Sequence, residues 1–65
     1  MTLDEIQRLQ AGDRVRFGDH PGTVLLVHGY HAAAWVGCLT VHWDDGEVSD
    51  IDYDDREQLE HLRRA

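Results

Sequence analysis

The 65-residue sequence predicts a mainly β domain of four to five short antiparallel strands with a short helix at either end. Three observations point there. Apolar and polar residues alternate around Val15 and Phe17, and again from Trp35 to Trp43, the two-residue period of a half-buried strand. Dense turn signals, Gly18-Asp19-His20-Pro21-Gly22 and Asp44-Asp45-Gly46, punctuate those runs. Capping-box spacing opens a helix at each end: Thr2 with Glu5, and Asp54 with Glu57.

The elements follow in order. Leu3, Ile6 and Leu9 share a face at helical spacing, so a helix is expected over 3–10, with Gly12 as its stop. It is too short to stand alone and must dock by that face. Strands are expected over 13–53. Val15 and Phe17 alternate with Arg14 and Arg16 in the first. Thr23 to His28 forms a second, whose consecutive branched residues imply burial on both faces or a bend. Residues 29–34 read as a loop or a widened hairpin end. Trp35 to Trp43 is the longest strand, with Trp35, Gly37, Leu39, Val41 and Trp43 on one face. Asp44-Asp45-Gly46 turns it into a fourth strand, Glu47 to Ile51, because Asp and Gly tolerate positive φ. A C-terminal helix opened by Asp54 or Asp55 is expected over 55–64, with Leu59 and Leu62 as its apolar stripe and Arg63 and Arg64 opposing its dipole. The whole of 1–65 reads as a single domain.

Composition narrows the function classes. A chain this short buries only about 60% of the surface its unfolded form exposes, so a deep catalytic pocket and a full core compete for the same residues. That argues against an enzyme. Cys38 is the only cysteine, which excludes an intramolecular disulfide and a cysteine-rich zinc site. Lysine and asparagine are absent and all six bases are arginine. Both missing residues use AT-rich codons, so a GC-rich bacterial or phage gene is expected. There is no basic-then-apolar leader and no membrane-length apolar run, which makes a cytoplasmic setting the expectation. The net charge is −7, and it is unevenly placed: residues 44–65 hold nine of the thirteen acids. A generic binder of phosphate backbone would be basic instead.

Three segments carry a family resemblance: Gly12-Asp13-Arg14-Val15-Arg16-Phe17, then Pro21-Gly22-Thr23-Val24, then Leu39-Thr40-Val41-His42-Trp43-Asp44-Asp45-Gly46. Together they resemble a small SH3-like barrel of the Tudor and KOW kind, over roughly residues 12–53. In that group a G-D-x-V strand opens the barrel, a G-x-V strand follows a glycine-rich turn, and a later hairpin carries V-x-W/F-D-D-G. The resemblance implies a binding module, directed at nucleic acid or ribosomal partners in KOW-like members and at proteins in Tudor-like and SH3-like ones. Fold alone does not choose between them.

Candidate site residues fall into two groups. Tyr30, Trp35, Trp43 and Tyr53 lie at strand ends, where a rim of aromatic faces near carboxylates suits a cationic ligand such as an arginine side chain. The competing reading makes Trp35 and Trp43 core, because so small a domain needs its large residues for burial. Asp44, Asp45, Glu47, Asp50, Asp52 and Asp54 form an acidic run in which Asp50, Asp52 and Asp54 would line one face if extended. Such a face can receive and steer a basic protein surface, or serve only as a solvated exterior.

Other chemistry finds less support. Asp50-x-Asp52-x-Asp54 copies the start of an EF-hand loop, but Asp55 stands where glycine belongs and His61 where glutamate belongs. His28 and His31, with Cys38 or His42, match no zinc spacing. Cys38 sits mid-strand like a packed small hydrophobe. No metal, cofactor or catalytic residue is expected. The leading expectation is a small acidic protein-interaction module, a bacterial or phage regulator that binds a basic protein surface. The alternatives are a nucleic-acid-associated KOW-like barrel within a larger assembly, supported by Arg14 and Arg16, and a homodimeric structural protein paired through open strand edges.

Overall fold

A computed structural model describes residues 1–27 and 37–65. The elements run α1 (Leu3–Gln7), β1 (Arg14–Phe17), β2 (His20–Val27), β3 (Cys38–Trp43), β4 (Val48–Asp52), α2 (Arg56–His61) and β5 (Leu62–Arg64). All five strands join one antiparallel sheet in the order β4-β3-β2-β1-β5. The first four form a meander, and the chain then crosses through α2 to lay β5 against β1. Among the described residues β4 and β5 are the two sheet edges and do not pair, so the sheet is open rather than a closed barrel. Tyr30, Trp35, His28 and His31, with the start of the predicted third strand, lie outside the described residues.

Local chemistry accounts for the turns. Gly18 and Asp19 link β1 to β2 as a two-residue loop, with Phe17 opposite His20. Gly18 takes φ +59 and Asp19 keeps a negative φ, the pattern of a loop that demands glycine at its first position. Pro21 lies inside β2 rather than in the turn. Its carbonyl accepts the Asp44 N–H at 3.0 Å, and the position its own missing N–H would face is that same turn residue, so no ladder bond is lost. In the β3–β4 turn Trp43 N–H donates to the Glu47 carbonyl at 2.7 Å and Gly46 N–H to the Trp43 carbonyl at 2.9 Å. Gly46 alone takes the positive φ, +98, and both aspartates remain at negative φ.

The core collects Ile6, Leu9, Val15, Val24, Leu39, Val41, Trp43, Ile51, Tyr53, Leu59 and Leu62. The alternation in β1 and β3 therefore places its apolar residues inward, as the two-residue period requires. In β2 the register slips between Val24 and Leu26, and this bulge answers the question its consecutive apolar residues posed. The strand bends, and Leu25 and Leu26 are left about half exposed.

Both helices are shorter than predicted. Thr2 and Glu5 do form the reciprocal capping box, but α1 ends at Gln7, and Leu9 reaches the core from the following turn. The second helix is capped by Asp55, whose side chain accepts from Gln58 N–H at 3.2 Å, rather than by Asp54. It stops at His61. Leu62 turns extended, pairs with Phe17 and is fully buried, so three residues read as helix become β5. Burying Leu62 and completing a ladder with β1 outweighs the helical preference of a two-turn segment. Arg63 still serves α2, donating to the carbonyls of Glu60 and Leu62. The Met1 nitrogen reaches the same end of α2, donating to the carbonyls of Leu59 and, at 3.0 Å, Leu62.

Gly22 holds the tightest contact of the sheet. It pairs with Trp43 across β2 and β3, and a Cβ built there would lie 2.7 Å from the indole, 2.8 Å from Val41 and 3.0 Å from the His42 carbonyl. The backbone carbonyl cannot retreat without breaking the ladder. Gly22→Ala is expected to destabilise the fold by about 1–3 kcal/mol, the usual cost of overpacking. The check is the midpoint of urea unfolding, read against Ala11→Gly as a change at an exposed position.

Candidate functional site

The acidic run divides into three parts. At the β3–β4 turn, Asp44 receives both terminal nitrogens of Arg14 in a two-pronged ion pair at 2.7 and 2.8 Å, and Arg14 also donates to Thr23 at 2.8 Å. The guanidinium holds the Asp44 carboxyl below the usual carboxylate range, chiefly through that hydrogen bonding, and Arg14 itself is shifted upward. Asp45 accepts the Glu47 N–H at 3.0 Å and meets the His20 ring at 3.0 Å; these two contacts, in that order, lower its pKa. Both aspartates thus bolt the β3–β4 turn to the β1–β2 hairpin, and both are partly committed within the chain.

The second part lies along β4. Val48, Asp50 and Asp52 share the exposed face, while Ser49 and Ile51 turn inward. Asp50 accepts the Thr40 hydroxyl at 2.6 Å across the β3–β4 pair. Asp52 faces Cys38, and burial together with Asp50 and Asp52 pushes the Cys38 thiol up, so it is held protonated. Asp54 is the third part. The strand ends at Asp52, so Asp54 does not continue the row with Asp50 and Asp52 as an extended chain would. It lines instead a cleft of about 640 Å³ beside α1 and α2, with Met1, Leu3, Asp4, Arg56 and Glu60.

The aromatic rim is also redrawn. Trp43 and Tyr53 are 7% and 2% exposed, so their faces are spent in the core, and burial raises the Tyr53 phenol. The reason is the one the length implies: few large residues are available, and the core takes them. Trp43 packs against two neighbouring rings. It meets Phe17 edge-on at 6.4 Å between centroids and His20 at 5.5 Å, and Phe17 in turn contacts His61 at 5.7 Å.

Trp43 lines a second cleft, of about 270 Å³, together with Phe17, His20, Glu47, Ser49, Asp50, Ile51 and Gln58 of α2. Of the residues singled out from sequence, Trp43, Glu47 and Asp50 are brought together here. Phe17, His20 and Gln58 were missed as site residues. Phe17 carries only a strand pattern in sequence, and Gln58 reaches the cleft through the placement of α2, which leaves no local signal. Among the described residues no cluster of three metal-ligating side chains occurs, and no helix is long and apolar enough to cross a membrane.

No protein-family model, curated protein or solved structure matches this chain.

The lowered pKa values of Asp44 and Asp45 fix the direction of a pH effect. Each group stabilises the fold fully above its unfolded pKa, about 3.9, and that contribution is lost as pH falls through the lower folded-state value. Asp44→Asn is expected to lower the melting temperature at neutral pH and to make no difference once pH lies below both values. Thermal unfolding of the two proteins across the acid range checks this, and parallel curves with a constant gap would sink it.

Proposed function

We propose that this chain is an acidic protein-interaction module whose β4 side, with Glu47, Asp50 and Asp52 beside the cleft between β1, the β3–β4 turn and α2, receives a basic surface of a partner protein. The observation that carries the reading is the placement of Glu47 and Asp50 beside Phe17, His20 and Trp43 around one cleft of about 270 Å³. Carboxylates pair with a guanidinium or ammonium group, and the apolar ring surface beside them packs against the stem of a long basic side chain or an apolar neighbour. The surrounding net charge of −7 speeds the approach of a basic partner and repels nucleic acid. A volume of that size admits one or two side chains rather than a metabolite of ordinary size.

The finer fold assignment belongs with this reading. A four-strand meander, a helical turn and a last strand returned to β1 is the order an SH3-like barrel of the Tudor or KOW kind would have, and it supports that membership beside the sequence resemblance. One observation favours the nucleic-acid alternative. Arg16 and Arg63 stand directly opposite each other on exposed positions of β1 and β5, with Arg64 adjacent. Like charges so placed repel, and an anion between them would relieve the repulsion. The stripe supplies few phosphate contacts, so this reading requires a larger assembly to provide the rest.

The test is binding to a fluorescent arginine-rich peptide, with an arginine-free peptide of equal length as control. The wild-type chain is expected to bind the former only, with affinity falling steeply towards about 1 M salt, where the Debye length is about 3 Å. Glu47→Gln with Asp50→Asn is expected to weaken binding by about tenfold, a loss on the scale of two charge-assisted contacts. Equal binding by wild type and variant, or tighter binding to an oligonucleotide than to the peptide, would overturn the proposal.

A further inference from the structure

β4 is an edge strand, and the directions of its backbone groups can be read from the bonds that flank it. Trp43 N–H donates to the Glu47 carbonyl at 2.7 Å, and Tyr53 N–H donates to the Gly37 carbonyl at 3.2 Å. Hydrogen-bonded pairs alternate along an antiparallel ladder. Glu47, Ser49, Ile51 and Tyr53 therefore turn their backbone groups to β3, and Val48, Asp50 and Asp52 turn theirs away from it. The Asp52 carbonyl is taken by Asp55 N–H at 3.2 Å. Among the described residues, Val48 and Asp50 are left presenting N–H and C=O along an edge that no other strand pairs.

That edge borders the cleft already described, because Ser49, Asp50 and Ile51 form one of its walls and Phe17, Trp43 and Gln58 the others. A strand added beside β4 would alternate its side chains between two chemically different surroundings. Residues opposite Val48 and Asp50 would stand on the outer face among Val48, Asp50 and Asp52. A residue opposite Ser49 would point into the cleft against Phe17 and Trp43. The outer face is acidic and the inner one aromatic, so the complementary strand is basic outside and apolar inside. A second copy of β4 is a poor occupant, since it would set its own Asp50 and Asp52 against this pair.

We propose that β4 takes up an extended segment of a partner protein as an added antiparallel strand, with basic side chains beside Asp50 and Asp52 and an apolar side chain between them in the Phe17–Trp43 cleft. This rests on the reading that the partner is a basic protein surface, and it specifies how that surface is engaged: main-chain bonds to Val48 and Asp50 supply affinity, and alternate side chains supply selectivity.

Three short peptides alternating arginine with valine test it against the full chain: one unmodified, one N-methylated at the arginines, one N-methylated at the valines. In the proposed register the arginine N–H groups face β4 and the valine N–H groups face away. Methylating the arginines is expected to weaken binding by about tenfold or more through lost main-chain bonds, and methylating the valines to leave it nearly unchanged. Amide exchange at Val48 and Asp50 is expected to slow in the unmodified complex. Equal affinity for all three peptides overturns strand addition while leaving the cation-directed reading in place. Binding of none at low salt overturns both. Slowed exchange at Val48 and Asp50 on raising protein concentration alone assigns the edge to a second copy and overturns the proposed occupant.

Discussion

The contact of Trp43 with Gly22 is the constraint on which the remaining geometry depends. Only a residue without a side chain lets the indole lie flat against β2 at this distance, and the pair locks β3 to β2 in one register. A slip of one residue would carry Trp43, Val41 and Leu39 to the outer face together. With Trp43 fixed, Phe17 and His20 from the opposite hairpin have a surface to meet edge-on, and the two hairpins are joined. The exposed Arg14–Asp44 and His20–Asp45 contacts then act at the rim of an arrangement the core has already set. Exposed ion pairs of this kind contribute little to overall stability and more to the orientation of the turn that carries them.

Placing the acids follows from the same frame. Seven acids between Asp44 and Asp55 look alike in sequence, but the fold sorts them by task. Asp44 and Asp45 hold the turn, Asp55 caps α2, and Asp54 turns towards the other cleft. Glu47, Asp50 and Asp52 remain near the open side of β4. Acidic residues on an edge strand discourage pairing with further copies of the same edge, and they also define which foreign strand would be tolerated there. On the proposed function, one arrangement would serve both to limit self-association and to select a basic partner.

Legibility from sequence tracked how local each cause was. The strands were readable because alternation around Val15, Leu39 and Val41 reports burial directly, and the turns because Gly18 and Gly46 sit where positive φ is required. The capping box at Thr2 was readable for the same reason, its two partners being three residues apart. What escaped depended on contacts between distant residues. Nothing near Leu62 announces that Phe17, far back in the chain, offers a ladder and a burial site, so β5 read as the last turn of a helix. The run through Leu25 and Leu26 left burial on both faces and a bend equally open, because a bulge is a property of two strands together. Asp54 read as the third member of a row because alternation says nothing of where a strand stops.

The same distinction separates the two halves of the candidate site. Its acids were visible as a composition shift, while its aromatic half was open between rim and core: Trp43 is core, the competing reading, and Tyr53, read at the rim, is buried as well. In a chain of this size core and binding surface cannot be built from separate sets of large residues. Trp43 belongs to both sets: it packs beside Gly22 and Val41 in the core and also lines the cleft. On the proposed function, a cleft wall that is part of the core would present an incoming segment with a surface that needs little ordering. The cost of ordering would then fall on the partner, and an extended segment able to form ladder bonds with β4 is the partner that would recover most of it.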